Sequence, residues 1–258
     1  MRPVEASRLL EDELVIEGRL AEASNQVFLA HLESQPDIRV IYKPMSGERE
    51  LWDFPSGTLS AREVAAYEVD QAFGLDLVPM TVWRTDGVHG PGSVQVVVEI
   101  DDSLPAAVEV RKEIHDGMLA IVELEDRSGN EWLLTHRDDD ELRRLALFDA
   151  IINNGDRKGG HVLATAQGYR AIDHGVSFHV QTKLRTVLWG WAGEPLSNSE
   201  IEWLARCSEE LAAAEDAVRA HVSANEWLAM ESRLKQLREQ ESFPMPNEDW
   251  PSLPWPLF

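Results

Sequence analysis

The sequence predicts an α+β fold with two lobes, a β-rich N-terminal lobe at residues 1–101 and a helical C-terminal lobe at residues 102–258. Short apolar runs that are typical of β-strands fill most of the N-terminal part, whereas longer stretches with helical spacing dominate after residue 139. The chain has 258 residues, of which 43% are hydrophobic, so it is long enough to bury a core in two lobes that share a cleft.

The N-terminal lobe is predicted to contain several strands and one helix. The predicted strands are Leu14–Ile16, Val27–Leu32, Arg39–Lys43, Val78–Arg84 and Ser93–Ile100. Apolar residues recur at helical spacing between Ser60 and Phe73, which predicts a helix there. Ser60 followed by Glu63 has the pattern of a capping box at the start of this helix, and Gly74 is a suitable stop.

The C-terminal lobe is predicted to begin with a hairpin and to continue as helices. The two hairpin strands are Met118–Leu124 and Glu131–Thr135. Helical patterns follow at Asp139–Asn153 and over long stretches of Ser199–Glu241. The tail from residue 242 to residue 258 is rich in Pro and Trp, so we expect no regular helix in it.

Charge and cysteine content exclude several classes of protein. The formal net charge is −22, and no basic stripe of the kind that neutralises nucleic-acid phosphates is present, so we expect no nucleic-acid partner. No apolar run is long enough for a transmembrane segment, and the first twenty or so residues lack the apolar centre of a signal peptide. The single cysteine, Cys207, excludes internal disulfides and cysteine-based metal clusters. Together these features predict a cytoplasmic protein.

Two aspartates in neighbouring loops are the strongest candidates for chemistry. Asp156 lies in a basic, Gly-rich loop that follows a predicted helix, and Asp173 follows a short apolar strand and precedes Gly175. Such a pair suits phosphoryl transfer, in which one carboxylate orients the attacking hydroxyl and the other holds a divalent metal on the nucleotide phosphates. A single aspartate in a Gly-rich loop is ordinarily only a turn residue, so the inference depends on the ordered pair.

Lys43 and Glu63 supply a candidate ion pair upstream of these aspartates. Lys43 ends an apolar strand, where a lysine is ordinarily solvated, and Glu63 lies in the first turn of a helix, where a carboxylate is ordinarily a cap. A strand lysine followed by a helix glutamate, both before the two aspartates, is nevertheless the order in which kinases carry a phosphate-contacting pair. Glu68, on another face of the helix, is the competing acidic partner.

Taken in order, these pieces resemble the phosphatidylinositol 3- and 4-kinase superfamily. The likeness is greatest to the type II 4-kinase branch and its bacterial relatives, and more narrowly to a family of actinobacterial kinase-like proteins. The matching pieces are Ile41–Pro44, Arg62–Tyr67, Val78–Pro79, Gly92–Gln95, Val98–Ile100, Asn154–Lys158 and Ile172–Gly175. They cover roughly residues 14–180, and it is their order rather than any one of them that is specific. The resemblance implies a bilobal protein- or lipid-kinase-like fold with an ATP cleft between the lobes.

The resemblance also implies a role for each matching position. Lys43 would contact the α- and β-phosphates of ATP and would be held by Glu63. Asp156 would be the catalytic aspartate, and Asp173 would bind Mg²⁺ or Mn²⁺. Ser24 and Asn25 would line the loop over the phosphates. Glu99 and Ile100 would lie in the hinge between the lobes and offer backbone groups to the adenine.

His161 departs from the family pattern. These kinases usually carry a metal-binding Asn five residues after the catalytic aspartate, and His161 stands at that position here. Mg²⁺ prefers oxygen ligands and imidazole suits transition metals, so His161 is a candidate ligand for manganese, a hydrogen-bond partner of Asp156 or a packing residue. The segment His179–Trp191 would occupy the activation-loop position, where its cations would hold an anionic acceptor or its tryptophans would pack the loop onto the lobe.

Three functions remain open at this point. The first is a kinase that moves the γ-phosphate of ATP to an alcohol, for which the acidic chain slightly favours a protein or soluble acceptor over an inositol lipid. The second is a pseudokinase that binds nucleotide as a scaffold or sensor, which His161 and the missing Gly-rich signature favour. The third is transfer of a nucleotide rather than a phosphate.

Overall fold

A five-stranded antiparallel sheet forms the N-terminal part of the protein. The computed structural model describes residues 5–21 and 25–258. The sheet has the order β1-β2-β3-β5-β4. Its strands are β1 (Leu14–Arg19), β2 (Phe28–Leu32), β3 (Gln35–Pro44), β4 (Thr81–Arg84) and β5 (Gly92–Val96). The short helix α1 (Ala6–Glu11) buries Leu9 in a core that the sheet shares through Val40, Tyr42 and Val94.

The single long helix of this part, α2, runs from Leu59 to Phe73 between β3 and β4. The predicted capping box is wrong, because the carboxylate of Glu48 accepts the backbone N–H groups of Leu59 at 2.9 Å and Ser60 at 2.7 Å. The predicted stop is confirmed: Gly74 adopts a left-handed conformation (φ 63°) that a residue without Cβ reaches at no steric cost.

The two later strands of the sheet are shorter than predicted. β4 begins at Thr81 instead of Val78, because Pro79 has no N–H for a strand ladder and the N–H of Leu77 bonds to the side chain of Asp70 at 3.0 Å. β5 ends at Val96 instead of Ile100. Residues 97–100 form an irregular link, after which the N–H of Asp101 bonds to the carbonyl of Ala164 at 3.0 Å.

The C-terminal part combines a second sheet, a hairpin and four helices. The three-stranded sheet has the order β6-β8-β7, and the hairpin pairs β9 with β10. These strands are β6 (Val108–Arg111), β7 (Met118–Glu125), β8 (Glu131–Arg137), β9 (Val162–Thr165) and β10 (Gly168–Ala171). The helices are α3 (Asp140–Ile152), α4 (Asn198–Ala213), α5 (Glu215–Arg219) and α6 (Ala224–Gln240). The α+β class, the hairpin of β7 and β8 and the helix after residue 139 are therefore confirmed.

Helix α2 lies between the N-terminal sheet and the C-terminal helices. It contacts β4 and β5 on one side and α4 and α5 on the other. Its residues Ala65, Val69 and Phe73 belong to the larger hydrophobic core, together with residues of α3, α4 and α6. The indole N–H of Trp203 on α4 donates to the carbonyl of Phe73 at 3.2 Å. The position of α2 is thus fixed by both parts of the protein. Within residues 5–21 and 25–258, no helix is long and apolar enough to cross a membrane.

Candidate active site

Lys43, Glu63 and Asp173 meet in one cluster. Lys43 lies near the end of β3, and the strand alternation sends its side chain to the face opposite the buried Tyr42. Its ammonium group contacts the carboxylate of Glu63 on α2 and lies 3.1 Å from Oδ1 of Asp173. The sequence-predicted pairing of Lys43 with Glu63, rather than with Glu68, is the one that the structure forms.

The charges in this cluster support one another. Burial alone would lower the pKa of Lys43, but the carboxylates of Asp173 and Glu63 outweigh it and raise this pKa. Lys43 in turn holds the pKa of Asp173 below its ordinary value, although burial opposes the shift. Burial raises the pKa of Glu63, which Lys43 counteracts. We therefore expect an ammonium group next to an ionised Asp173 at neutral pH, a pattern that often marks functional sites.

Asp156 lies in the loop that follows α3. Helix α3 ends at Asn153 in a left-handed conformation (φ 57°), and the N–H of Gly155 then bonds to the carbonyl of Val176 at 2.8 Å. A Cβ on residue 155 would lie 3.1 Å from that carbonyl oxygen, so glycine suits the close approach. The loop brings the carboxylate of Asp156 to 3.1 Å from the ammonium of Lys158, and burial raises the pKa of Asp156 against the opposing charge of Lys158.

A buried arginine ties the loops of the two aspartates together. Arg157 has no exposed surface and forms a two-pronged ion pair with Asp149 on α3, at 2.8 and 2.9 Å. The same guanidinium donates to the carbonyl of Ile172 at 2.8 Å, and its Nη2 lies 2.8 Å from Nε2 of His174. Bidentate pairs of this kind fix geometry as well as charge. Arg157 therefore sets the distance between the loop of Asp156 and the loop of Asp173.

His161 lies beside Asp173, with Nε2 at 3.4 Å from Oδ2 of that residue. Burial lowers the pKa of His161 to about 4, although Asp173 opposes this shift, so the imidazole is neutral at pH 7. Its other nitrogen, Nδ1, is buried and has no hydrogen-bond partner in the described part of the chain. The contact with Asp173 was not among its three predicted roles, and the described residues contain no hydrogen bond between His161 and Asp156.

The donor atoms around Asp173 suit a divalent cation. Asp156 and Asp173 offer oxygen atoms and His161 offers a neutral nitrogen, a combination that fits Mn²⁺ and, through the carboxylates, Mg²⁺. In residues 5–21 and 25–258, no group of three or more His, Cys, Asp or Glu side chains is already arranged for a metal. The ammonium group of Lys43, which contacts Asp173, has a positive charge that attracts phosphate groups.

The remaining predicted site residues lie apart from this cluster. Asn25 accepts the N–H of Arg49 at 2.8 Å through its side chain, whereas Ser24 lies outside the described residues. Glu99 and Ile100 are exposed in the link after β5. No hydrogen bond within the described residues joins Asn25, Glu99 or Ile100 to Lys43 or Asp173, so their predicted roles depend on a ligand.

The segment after Asp173 is packed rather than open. The ammonium of Lys183 pairs with Asp53 and lies 4.6 Å from the ring of Trp52 and 4.5 Å from the ring of Trp250. Trp191 is buried, and the indole N–H of Trp189 donates to the carbonyl of Ser252 at 2.9 Å. Packing of the tryptophans, the second alternative for this segment, is therefore what the structure contains.

Sequence reasoning did not single out several polar residues around the site. They are Asp149, Arg157, Lys158, His174 and Arg62. Asp149 had a signal, because it interrupts the apolar run Leu145–Ile152, where a carboxylate is rarely buried unless it is paired. The other four lie in segments that carry the family resemblance, but nothing local pointed to the partner of Arg62, because Glu226 is 164 positions away in the sequence.

Comparisons with known proteins identify the class of fold. The structure of hydra Fam20 with sugar superposes with a TM-score of 0.52 and 13% identity, over 91% of this chain and 86% of that chain. The Golgi casein kinase superposes with a TM-score of 0.49 and 14% identity, over 93% of this chain and 78% of that chain. The protein has a two-lobed, kinase-like fold of mixed α and β structure, as the sequence predicted.

A curated relative identifies the family. Protein Rv2133c of Mycobacterium tuberculosis (strain ATCC 25618 / H37Rv) is 41% identical over 273 positions, which cover 100% of this chain and 97% of that protein. The chain therefore belongs to the family of Rv2133c. No protein-family profile matches the chain. These matches give no specific support to the narrower resemblance to phosphatidylinositol 3- and 4-kinases.

Proposed function

We propose that this protein is an ATP-dependent phosphotransferase that moves the γ-phosphate of ATP to an alcohol. The observation that carries the proposal is the position of the Lys43 ammonium between Glu63 and Asp173, with Asp156 in the adjoining loop. A strand lysine held by a helix glutamate, next to two loop carboxylates, is the arrangement that kinases use on ATP phosphates. We prefer a protein or soluble acceptor to a phosphoinositide, because a chain with a net charge of −22 is repelled by an anionic membrane surface.

The side chains have distinct roles in this proposal. Lys43, held by Glu63, binds the α- and β-phosphates once they replace Asp173 as its partner. Asp156 orients the acceptor hydroxyl, and burial, which raises its pKa, makes it a better proton acceptor than an exposed aspartate. Lys158, at 3.1 Å from Asp156, offsets the charge of the phosphate during transfer. Mg²⁺ or Mn²⁺, when bound at Asp173 and His161, would neutralise the phosphate oxygens.

The proposed nucleotide site extends to the junction of the two lobes. We assign the lobes to residues 1–101 and 102–258, as the sequence indicates, with the adenine against backbone groups of Glu99 and Ile100. Ser24 and Asn25 are assigned to the loop over the phosphates. Support for the hinge comes from the hydrogen bond of Asp101 to Ala164 on β9, which brings the link after β5 next to the strand that follows His161. A cytoplasmic location remains a prediction from the sequence.

A pseudokinase is the second candidate, and one observation favours it. Both oxygens of Asp173 are engaged, Oδ1 with Lys43 at 3.1 Å and Oδ2 with His161 at 3.4 Å. A protein that binds nucleotide without transfer would keep such internal contacts. We still prefer the kinase, because a nucleotide-binding scaffold has no need of Asp156, which the chain retains together with Lys43, Glu63 and Asp173.

ATP turnover with Mg²⁺ and then Mn²⁺ tests the proposal. The wild type is compared with Asp156→Asn and Asp173→Asn, and with Asp37→Asn as a matched control on an exposed stretch of β3. We expect ADP release that falls by roughly 10²–10⁴-fold in the two site variants and is unchanged in the control. Equal turnover in all four proteins would refute the assigned roles. Pyrophosphate instead of ADP would identify nucleotide transfer.

Two further readouts separate the alternatives. If no product forms even with lipid vesicles and cell extract as sources of acceptor, but ATP raises the melting temperature, the pseudokinase replaces the kinase. If ATP also leaves the melting temperature unchanged, nucleotide binding itself is refuted. For the acceptor, labelled ATP is supplied with lipid vesicles and with cell extract. Label found solely in the lipid fraction would overturn our preference for a protein or soluble acceptor.

A further inference from the structure

Arg62, next to Glu63 on α2, is an unusually buried cation. Only 1% of its surface is exposed. Its Nη2 pairs with the carboxylate of Glu226 on α6, and its Nη1 donates to the carbonyl of Ser177 at 2.7 Å. The guanidinium carbon lies 4.7 Å from the centre of the Phe54 ring. Arg62 therefore joins α2 to α6, to the segment after Asp173 and to the loop before α2.

Arg62 and Glu63 together hold both ends of one short segment. The carboxylate of Glu63 accepts the N–H of His174 at 2.9 Å, while Arg62 binds the carbonyl of Ser177. This segment is bounded by two residues with left-handed backbone, Asp173 (φ 62°) and Phe178 (φ 66°). Such a conformation is strained for a bulky residue such as Phe and persists only where surrounding contacts hold it. The two consecutive residues of α2 supply two of those contacts, beside the backbone bonds of Gly155 to Val176 at 2.8 Å and of Phe178 to Ile152 at 2.6 Å.

We propose that Arg62 is a positioning residue of the candidate active site. Through Glu226 it anchors the start of α2 to α6, and through Ser177 it fixes the loop of Asp173 against the same helix. Together with the bond of Glu63 to the N–H of His174, these two contacts set the distance between Glu63 and Asp173, and with it the place of the Lys43 ammonium between them. The catalytic part of this inference rests on the proposed phosphotransferase function, whereas the structural part does not.

A second arginine provides a closely matched control. Arg143 on α3 pairs with Glu200 on α4 at 2.7 Å, and its guanidinium carbon lies 4.5 Å from the ring of Phe243. Each glutamate stands three residues after the N-cap serine of a capping box, Glu226 after Ser223 and Glu200 after Ser197. Like Arg62, Arg143 therefore pairs with a glutamate at the start of a helix and contacts a phenylalanine ring. No described hydrogen bond joins Arg143 to residues 173–178, so the two arginines differ in the contact that matters here.

Hydrogen exchange and kinetics of Arg62→Met and Arg143→Met test the inference. Arg62→Met loses a buried ion pair and Arg143→Met a partly buried one, so both variants are expected to melt at lower temperature. At a temperature where both are folded, amide exchange in peptides covering residues 173–178 should be at least about tenfold faster in Arg62→Met than in Arg143→Met. Turnover per folded molecule (kcat) should fall about tenfold or more in Arg62→Met and stay at the wild-type value in Arg143→Met, with Arg62→Lys intermediate.

Two outcomes would overturn the inference. One is equal exchange at residues 173–178 in the two methionine variants, and the other is an equal fall in kcat. If Arg62→Met does not fold, Glu226→Gln and Glu200→Gln provide the same comparison, because each keeps the side-chain volume while removing the charge that faces its arginine. If the wild type shows no turnover at all, the proposed function fails, and the exchange comparison alone still decides whether Arg62 positions the loop.

Discussion

Asp70 should make the folded protein less stable as the pH rises from about 4 to about 8. This residue lies in the last turn of α2 and has no exposed surface. Its side chain accepts the N–H of Leu77 at 3.0 Å and an N–H of Gln71 at 3.3 Å, and no cation lies within ion-pair distance in the described part of the chain. Burial therefore dominates and raises the pKa of Asp70 to about 7 from an ordinary value of 3.8.

The size of the effect follows from this shift in pKa. A folded-state pKa above the unfolded one means that the folded state binds the proton more tightly, so the stabilisation is complete below pH 3.8 and is lost as the pH passes through about 7. About three pKa units at about 1.36 kcal/mol each correspond to about 4 kcal/mol of unfolding free energy. For a chain of this size, about 4 kcal/mol corresponds to roughly 8–16 °C in melting temperature.

Asp70→Asn isolates this contribution, because the amide stays neutral and its oxygen still accepts from Leu77. In urea titrations, the unfolding free energy of the variant relative to the wild type should rise by about 2.5–3 kcal/mol between pH 5 and pH 8.5, since about two of the three pKa units lie above pH 5. Asp37→Asn, on an exposed part of β3, should show the same dependence of unfolding free energy on pH as the wild type. A difference between wild type and Asp70→Asn that is independent of pH, or that shrinks toward alkaline pH, would refute the reasoning.

Two further changes test the proposed metal ligand His161 and the start of α2. His161→Asn replaces a nitrogen donor by an oxygen donor, so the ratio of Mg²⁺-supported to Mn²⁺-supported ATP turnover should rise by about tenfold, and an unchanged ratio would mean that residue 161 does not contact the metal. Glu48→Ala leaves the N–H groups of Leu59 and Ser60 without their acceptor and should cost about 1–2 kcal/mol of unfolding free energy in urea titrations. Glu50→Ala, an exposed neighbour, should cost less than about 0.5 kcal/mol, and equal losses in the two variants would contradict the capping role.

Sequence could predict those site residues that are recognisable from their immediate neighbours and from their order along the chain. Lys43 lies near the end of an apolar strand, Glu63 lies near the start of a helix, and Asp173 follows a short strand. The kinase order of these residues predicted a cluster that the structure forms. The α+β class and most helices could be predicted for the same reason, because hydrophobic periodicity is a property of neighbouring residues.

Contacts between distant segments could not be predicted in this way. The pattern of Ser60 and Glu63 satisfies the capping-box signature, yet Glu48 takes the helix N–H groups and frees Glu63 for Lys43. Local patterns contain no information about a competing acceptor from an earlier loop. Likewise, nothing near Arg62 in the sequence indicates a partner on α6.

Helix α2 explains why the contacts that sequence could not predict lie around the candidate active site. Because it is enclosed by the sheet on one side and by α4 and α5 on the other, it carries no broad solvent-facing stripe, and several of its polar residues are buried. Each of the four discussed here has a partner in a different segment. Ser60 bonds to Glu48, Arg62 to α6 and the Asp173 loop, Glu63 to Lys43, and Asp70 to Leu77. Buried polar groups are costly unless they are paired, so any rotation or shift of α2 would break several bonds at once. The same contacts that make α2 hard to predict from sequence therefore hold Glu63 in place opposite Lys43.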